Sequence, residues 1–262
     1  MGNKDVMSSS VNIALVPVEG DLDVTTAPVA RRRMDYLISH GCRRIFLNMA
    51  DVGYVDSAGM GLIITELRRM RAAGGLLSLI NVSDQAYLAL RRMRVLDYMP
   101  VRRSGTKSRV TSLDPSVLPL WRMTFRMDER TLSEARDRVG DLLARLPFSA
   151  DEVFDMKLAV GEALGNAIDH TCEGGVLVTV AAYPDRATVE VSDCGCGFEL
   201  SEDEEPEDVG PNAERGRGIR LMRLLADSVS ISRKHTGEGT VVRLVKLLDA
   251  SKVAEEDLVS PE

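Results

Sequence analysis

Apolar and polar positions change their period several times along this chain of 262 residues, and each change marks an element. Residues 11–16 form a short apolar run that predicts a strand. Ala27, Ala30, Met34, Leu37 and Ile38 then recur at helical spacing, with Arg31, Arg32 and Arg33 spread over the outer side. Residues 44–48 and 76–80 read as two further strands. Between them Ile63, Ile64 and Leu67 mark the inner side of a helix over 60–70. Strands separated by helices imply parallel pairing, so residues 10–101 predict an α/β domain.

Residues 102–119 are polar and turn-rich and predict a linker. A strand follows near 120–125. Thr131-x-x-Glu134 and Ser149-x-x-Glu152 match the capping box, each ahead of a helical pattern, the second reaching about Asp169. Alternating runs at 176–183 and 186–193 predict a hairpin through Pro184-Asp185, and those at 229–233 and 240–245 a second through Gly237-Glu238-Gly239. This order predicts an α+β layer over 120–248, with helices on one face of a sheet and an acidic tail over 249–262.

Composition narrows the class. Apolar residues make up 44% and charged residues 28%, as in globular protein, while aromatics are only 4%, so aliphatic side chains must fill the cores. No apolar run approaches the roughly 20 residues of a membrane span, and the N-terminus lacks a signal-like stretch; a cytoplasmic address is expected. Cys42, Cys172, Cys194 and Cys196 show no metal-binding spacing, and Cys194 and Cys196 read as small buried residues of a tight turn. Residues 1–103 hold 14 Lys/Arg against 10 Asp/Glu (+4), and the remainder 19 against 30 (−11). Arginines without aromatic interleaving do not make a nucleic-acid surface. The asymmetry fits either docking between the halves or two independently solvated surfaces.

Candidate chemistry lies mostly in the second half. Glu162, Asn166 and His170 recur every four residues and so share one helical stripe beside apolar Val160, Ala163, Leu164 and Ala167. Glycine clusters follow at Asp193-x-Gly195-x-Gly197, Gly216-x-Gly218 and Gly237-x-Gly239-Thr240. Asp193, ending a strand, can accept a hydrogen bond from an exocyclic amine such as that of adenine. Gly195 and Gly197 allow close approach to a flat base. Gly216 and Gly218 precede a helical run from Ile219, where free N–H groups, with Arg215 and Arg217 nearby, can hold phosphates. Asn166 offers an amide oxygen to Mg²⁺, and Glu162 can take a proton from an attacking hydroxyl.

These boxes resemble the GHKL family of ATPases and kinases. The forms Glu162-Ala-Leu-Gly-Asn166-Ala-Ile-Asp169-His170, Asp193-x-Gly-x-Gly-Phe198 and Gly216-Arg-Gly-Ile-Arg-Leu-Met222 are similar to its anti-sigma-factor serine kinases. The resemblance implies a Bergerat-type α/β sandwich binding ATP and Mg²⁺. It makes Glu162 the base, Asn166 the Mg²⁺ ligand, Asp193 the adenine contact, and Gly195, Gly197, Arg215, Gly216, Arg217, Gly218 and Thr240 the nucleotide loops. Residues 199–214, where the family has its ATP lid, carry eight carboxylates, which suits either a solvated loop or a lid opened by repulsion.

In the first half, Gly20-Asp21-Leu22-Asp23, Thr26-Ala27-Pro28 and Asp56-Ser57-Ala58-Gly59-Met60-Gly61 together resemble the STAS domains of anti-sigma-factor antagonists, with a mixed sheet and helices. Ser57, after a strand-like run over 52–56, reads on its own as a helix N-cap. The resemblance makes it a phosphoacceptor. The fusion implies a partner-switching regulator acting with a sigma factor or other anti-sigma or antagonist protein, with a PP2C-type phosphatase and a homodimer as further family expectations. The alternative is a non-catalytic nucleotide-sensing module that sequesters a protein partner.

Overall fold

Aliphatic runs make the strands and amphipathic stretches the helices of two units, Met1–Lys107 and Ser108–Glu262. The computed structural model describes residues 7–9, 13–105, 110–114, 116–171, 175–201, 204, 213–234 and 238–249.

The first unit runs β1 (Met7–Ser9), β2 (Ile13–Pro17), α1 (Ala27–Ser39), β3 (Arg44–Asn48), α2 (Ser57–Ala72), β4 (Leu76–Val82), α3 (Asp84–Arg92) and β5 (Val101–Arg103). The sheet order is β1-β2-β3-β4-β5. β2 to β5 are parallel, and β1 is an antiparallel edge, so the sheet is mixed. Val16, Ile45, Leu47 and Leu79 of the sheet pack with Met34 of α1 and Ile63 and Met70 of α2 in one core. The strand at 101–103 and helix α3 were not anticipated.

Sequence places a strand over 52–56, but only Val55 pairs, through one parallel bridge to Leu22. Ser57 is not the cap of α2. Asp56 is: its Oδ1 accepts the Gly59 N–H at 2.8 Å, leaving Ser57 as the first helical residue. The loop before α1 is laced to this helix start. Leu22 N–H donates to the Tyr54 carbonyl, Asp56 N–H donates to the Leu22 carbonyl, and Asp21 Oδ1 accepts the Gly53 and Tyr54 amides at 3.0 and 2.8 Å. A Cβ at Gly59 would run into the Leu22 carbonyl, so the glycine of the Asp-Ser-Ala-Gly run is where helix and loop touch. Gly59→Ala is expected to destabilise the first unit by about 1–3 kcal/mol, read by chemical denaturation; unchanged stability would show that the contact yields freely.

The second unit runs β6 (Trp121–Met127), α4 (Leu132–Leu143), α5 (Ala150–His170), β7 (Val176–Ala182), β8 (Arg186–Ser192), α6 (Ala213–Leu225), β9 (Ser228–Arg233) and β10 (Thr240–Leu247). Its sheet is antiparallel throughout, in the order β6-β7-β8-β10-β9. α5 packs on β7, β8 and β10 and is flanked by α4 and α6. Alternation in β7 and β8 puts Val178, Val180, Val189 and Val191 in the core.

The capping box at Ser149–Glu152 forms as read: Ser149 Oγ accepts the Glu152 amide at 3.2 Å, and Glu152 accepts the Ser149 amide at 2.8 Å. The other moves. Asp128 and Thr131 make the box around a 3-10 turn, and Thr131 gives α4 no side-chain cap bond. Asp128 competes successfully because its carboxylate reaches both the Arg130 and Thr131 amides, at 3.0 and 3.1 Å.

Candidate functional site

Helix α5 supplies the floor of the site. Val160, Ala163, Leu164 and Ala167 are buried, which turns the neighbouring stripe of Glu162 and Asn166 toward a cleft while both remain half-buried. The amide of Asn166 has no hydrogen-bond partner among the described residues, so its oxygen is open to a cation. α6 crosses close by: a Cβ on Gly218 would come within 3.2 Å of both the Glu162 carboxylate and the Asn166 amide.

Beyond Asn166 a cavity of about 140 Å³ opens, with Asn166, His170, Asp193, Gly195, Gly197 and Thr240 in its wall. Asp193 is 6% exposed and follows β8 directly. Its Oδ1 accepts the Gly195 amide at 2.8 Å and the Thr240 amide at 2.9 Å. The backbone N–H of Asp193 donates to the Thr240 carbonyl at 3.0 Å. Oδ2 has no partner among the described residues, so one oxygen holds the loop and the other can meet a ligand. Thr240 Oγ1 accepts the Phe198 amide at 3.1 Å, tying the start of β10 to the same loop.

The glycines also hold the loop together. Gly195 lies in the cavity wall and packs against protein as well: a Cβ there would strike the His170 carbonyl at the end of α5. Gly239, at φ +92°, likewise lies against the Asp193 carbonyl. Gly197, at φ +76°, takes the left-handed turn that glycine adopts readily.

Helix α6 begins at Ala213, not near Ile219. The amides without intrahelical partners therefore belong to its first four residues, up to Gly216, and Gly218 lies inside the helix. Arg217 is half-buried and already has a polar partner; the side chain of Arg215 lies outside the described residues, as do Cys172, His235 and Gly237. Most of the acidic 199–214 segment does too. Its anchored end is described: Arg223 of α6 donates to the Ser201 and Glu204 carbonyls at 2.8 and 2.7 Å.

Comparison with known proteins puts both halves in context. Residues 125–246 match the model of the histidine kinase-like ATPase domain, and residues 6–123 that of the STAS domain. The serine-protein kinase RsbW of Listeria monocytogenes is 31% identical over 135 residues, covering 47% of this chain and 84% of that protein. That of Bacillus subtilis is 30% identical over 134 residues, covering 46% and 81%. The chain belongs to the RsbW family. Its first half joins a STAS domain to that kinase-like half. The structure of the Bacillus cell fate determinant SpoIIAA in its phosphorylated form covers 37% of this chain and 88% of its own, at 20% identity and a TM-score of 0.32. The N-terminal assignment rests on the domain model and not on that likeness.

Several site residues of this RsbW-family chain escaped sequence reading. Ile219 and Met222 project from α6, and Phe198, Ile231 and Val242 complete an apolar wall suited to a flat ring. The spacing of Ile219 and Met222, three apart on a helix, was the available signal. Cys194 and Cys196, read as buried, are exposed. The turn alternates, with Asp193 and Gly195 inward and the cysteines outward. Among the described residues no group of three or more His, Cys, Asp or Glu can hold a metal ion, and no helix is long and apolar enough to cross a membrane.

Proposed function

We propose that this chain is a cytoplasmic partner-switching regulator whose C-terminal domain binds Mg²⁺-ATP and phosphorylates a STAS-domain serine. The acceptor is Ser57, in cis or in another copy, or its equivalent in a separate antagonist. One observation carries the reading: Asn166 and the spare oxygen of Asp193 face one cavity, with Glu162 a turn further along the same helix.

The roles follow from the donor set. Asp193 accepts from the adenine amine, while Ile219, Met222 and Ile231 cover the ring faces. Mg²⁺ keeps most of its shell as water and phosphate oxygen and needs only one or two protein ligands, so the amide oxygen of Asn166 fits it and no carboxylate cluster is required. The bound nucleotide supplies the transferable γ-phosphoryl group. Glu162 takes the proton of the attacking serine hydroxyl, and the free amides of α6 up to Gly216 hold phosphate charge, with Arg215 and Arg217 beside them. A phosphate on Ser57 adds about −1.5 to −2 charges at the start of α2, beside Asp56 and near Asp21. That change alters which partner the STAS surface accepts: a sigma factor, another antagonist or anti-sigma protein, or a PP2C-type phosphatase that reverses it.

Incubation with labelled ATP followed by phosphopeptide mapping tests this. Label is expected on the peptide containing Ser57, and Ser57→Ala should remove it while leaving nucleotide binding intact. Where the acceptor is a separate antagonist, label appears on that protein instead. A chain that binds Mg²⁺-ATP yet transfers no label to itself or to an antagonist is a nucleotide-sensing binding module, not a kinase.

A further inference from the structure

We propose that His170 hydrogen-bonds a ribose hydroxyl of the nucleotide and so makes the site prefer ribonucleotides to deoxyribonucleotides. The proposal rests on the reading of the cavity as the ATP site. Ala163, Asn166, Ala167 and His170 stand three and four apart on α5, and all four line the cavity, so His170 lies on the helix stripe turned toward it. Its imidazole is exposed and has no hydrogen-bond or ion-pair partner among the described residues. The end of the helix is held from two sides. Gly195 packs on the His170 carbonyl, and the Cys194 N–H donates to Thr171 Oγ1 at 3.4 Å. His170 therefore keeps a fixed station beside the loop of Asp193, one turn or about 6 Å along α5 from Asn166.

The order of these groups identifies the part of the ligand that His170 meets. A nucleoside triphosphate runs from base through sugar to phosphates. On the proposed roles the spare oxygen of Asp193 takes the base amine, and Asn166 takes the metal held by the phosphates. The group stationed between them faces the sugar. Thr240 is already engaged, since its Oγ1 accepts the Phe198 amide, and Cys196 is only a weak donor. A neutral imidazole carries one N–H donor and one bare acceptor nitrogen. A hydroxyl both donates and accepts, so either tautomer can make the bond. A pocket that hydrogen-bonds a substrate hydroxyl disfavours the analogue lacking it. At an exposed position the preference is modest, about three- to tenfold in affinity.

Calorimetry on the full-length chain tests this with Mg²⁺-ATP and its 2′-deoxy and 3′-deoxy analogues. Wild type should bind ATP about three- to tenfold more tightly than at least one analogue. His170→Ala should lose that preference by weakening ATP binding alone, with the analogue bound as in wild type. His170→Phe, which keeps a ring but no nitrogen, should lose it too and carries the test if the alanine variant does not fold. Equal weakening of ATP and both analogues shows a role in holding the helix end and overturns the proposal. A preference that survives in a folded variant overturns it as well, as does a wild type that binds all three alike. A wild type that binds none of the three is a different result and sinks the nucleotide reading itself.

Discussion

Glu162→Gln is expected to slow phosphoryl transfer by about 10²–10⁴-fold, the usual contribution of a positioned base, while Mg²⁺-ATP still binds. The substitution is nearly isosteric, and Glu162 is absent from the wall of the cavity that Asn166 and Asp193 share. It faces Gly218 instead, where α6 crosses α5. On the proposed roles, binding and chemistry are thus separated along one helix. Rates come from single-turnover transfer of labelled phosphate and affinity from calorimetry. Transfer within a few-fold of wild type would show that some other group accepts the proton.

Asp193→Asn should produce the opposite split, with affinity lost and the fold kept. Asparagine can present its oxygen where Oδ1 now accepts the Gly195 and Thr240 amides, so the junction of β8 and β10 survives. Its nitrogen then replaces Oδ2, and a donor faces the adenine amine, also a donor. Losing a hydrogen bond to a charged group costs about 1.5–3 kcal/mol, roughly 10- to 150-fold in Kd. Thermal unfolding without ligand should match wild type. Equal ATP affinity in the two proteins would remove Asp193 from base recognition.

Sequence pattern revealed most of the strands and five of the six α-helices of the described residues, α6 with a late start, because burial on one face writes a clear period into each. It passed over α3, although Ser83 caps that helix by accepting the Ala86 amide, and Ala86 and Leu90 are buried four apart. Nine residues hold too few turns for a convincing stripe. α6 was placed too late for an energetic reason. Two glycines cost a helix about 1 kcal/mol each, so the pattern argued against helix through Gly216 and Gly218. Packing decides otherwise: α6 passes close to Glu162 and Asn166, where a Cβ at Gly218 would make tight contacts of 3.2 Å to both side chains. The cysteines misled through chemistry of the other kind: their small apolar side chains suggest burial, but the inward place was already taken by Gly195. What could be read directly was the set of polar groups, Glu162, Asn166 and Asp193. The apolar wall from α6, β9 and β10 comes together only through tertiary packing.

Because Gly195 abuts the His170 carbonyl, the loop bearing Asp193 is pinned to one end of the helix whose middle carries Glu162. The eight steps from residue 162 to residue 170 rise about 12 Å at 1.5 Å each. On the proposed roles, α5 therefore works as a ruler, fixing the span from the loop of Asp193 to Glu162 in whole helical steps. Adding one residue between those ends would turn the ruler by about 100° as well as lengthen it, so its length can change only together with its aim.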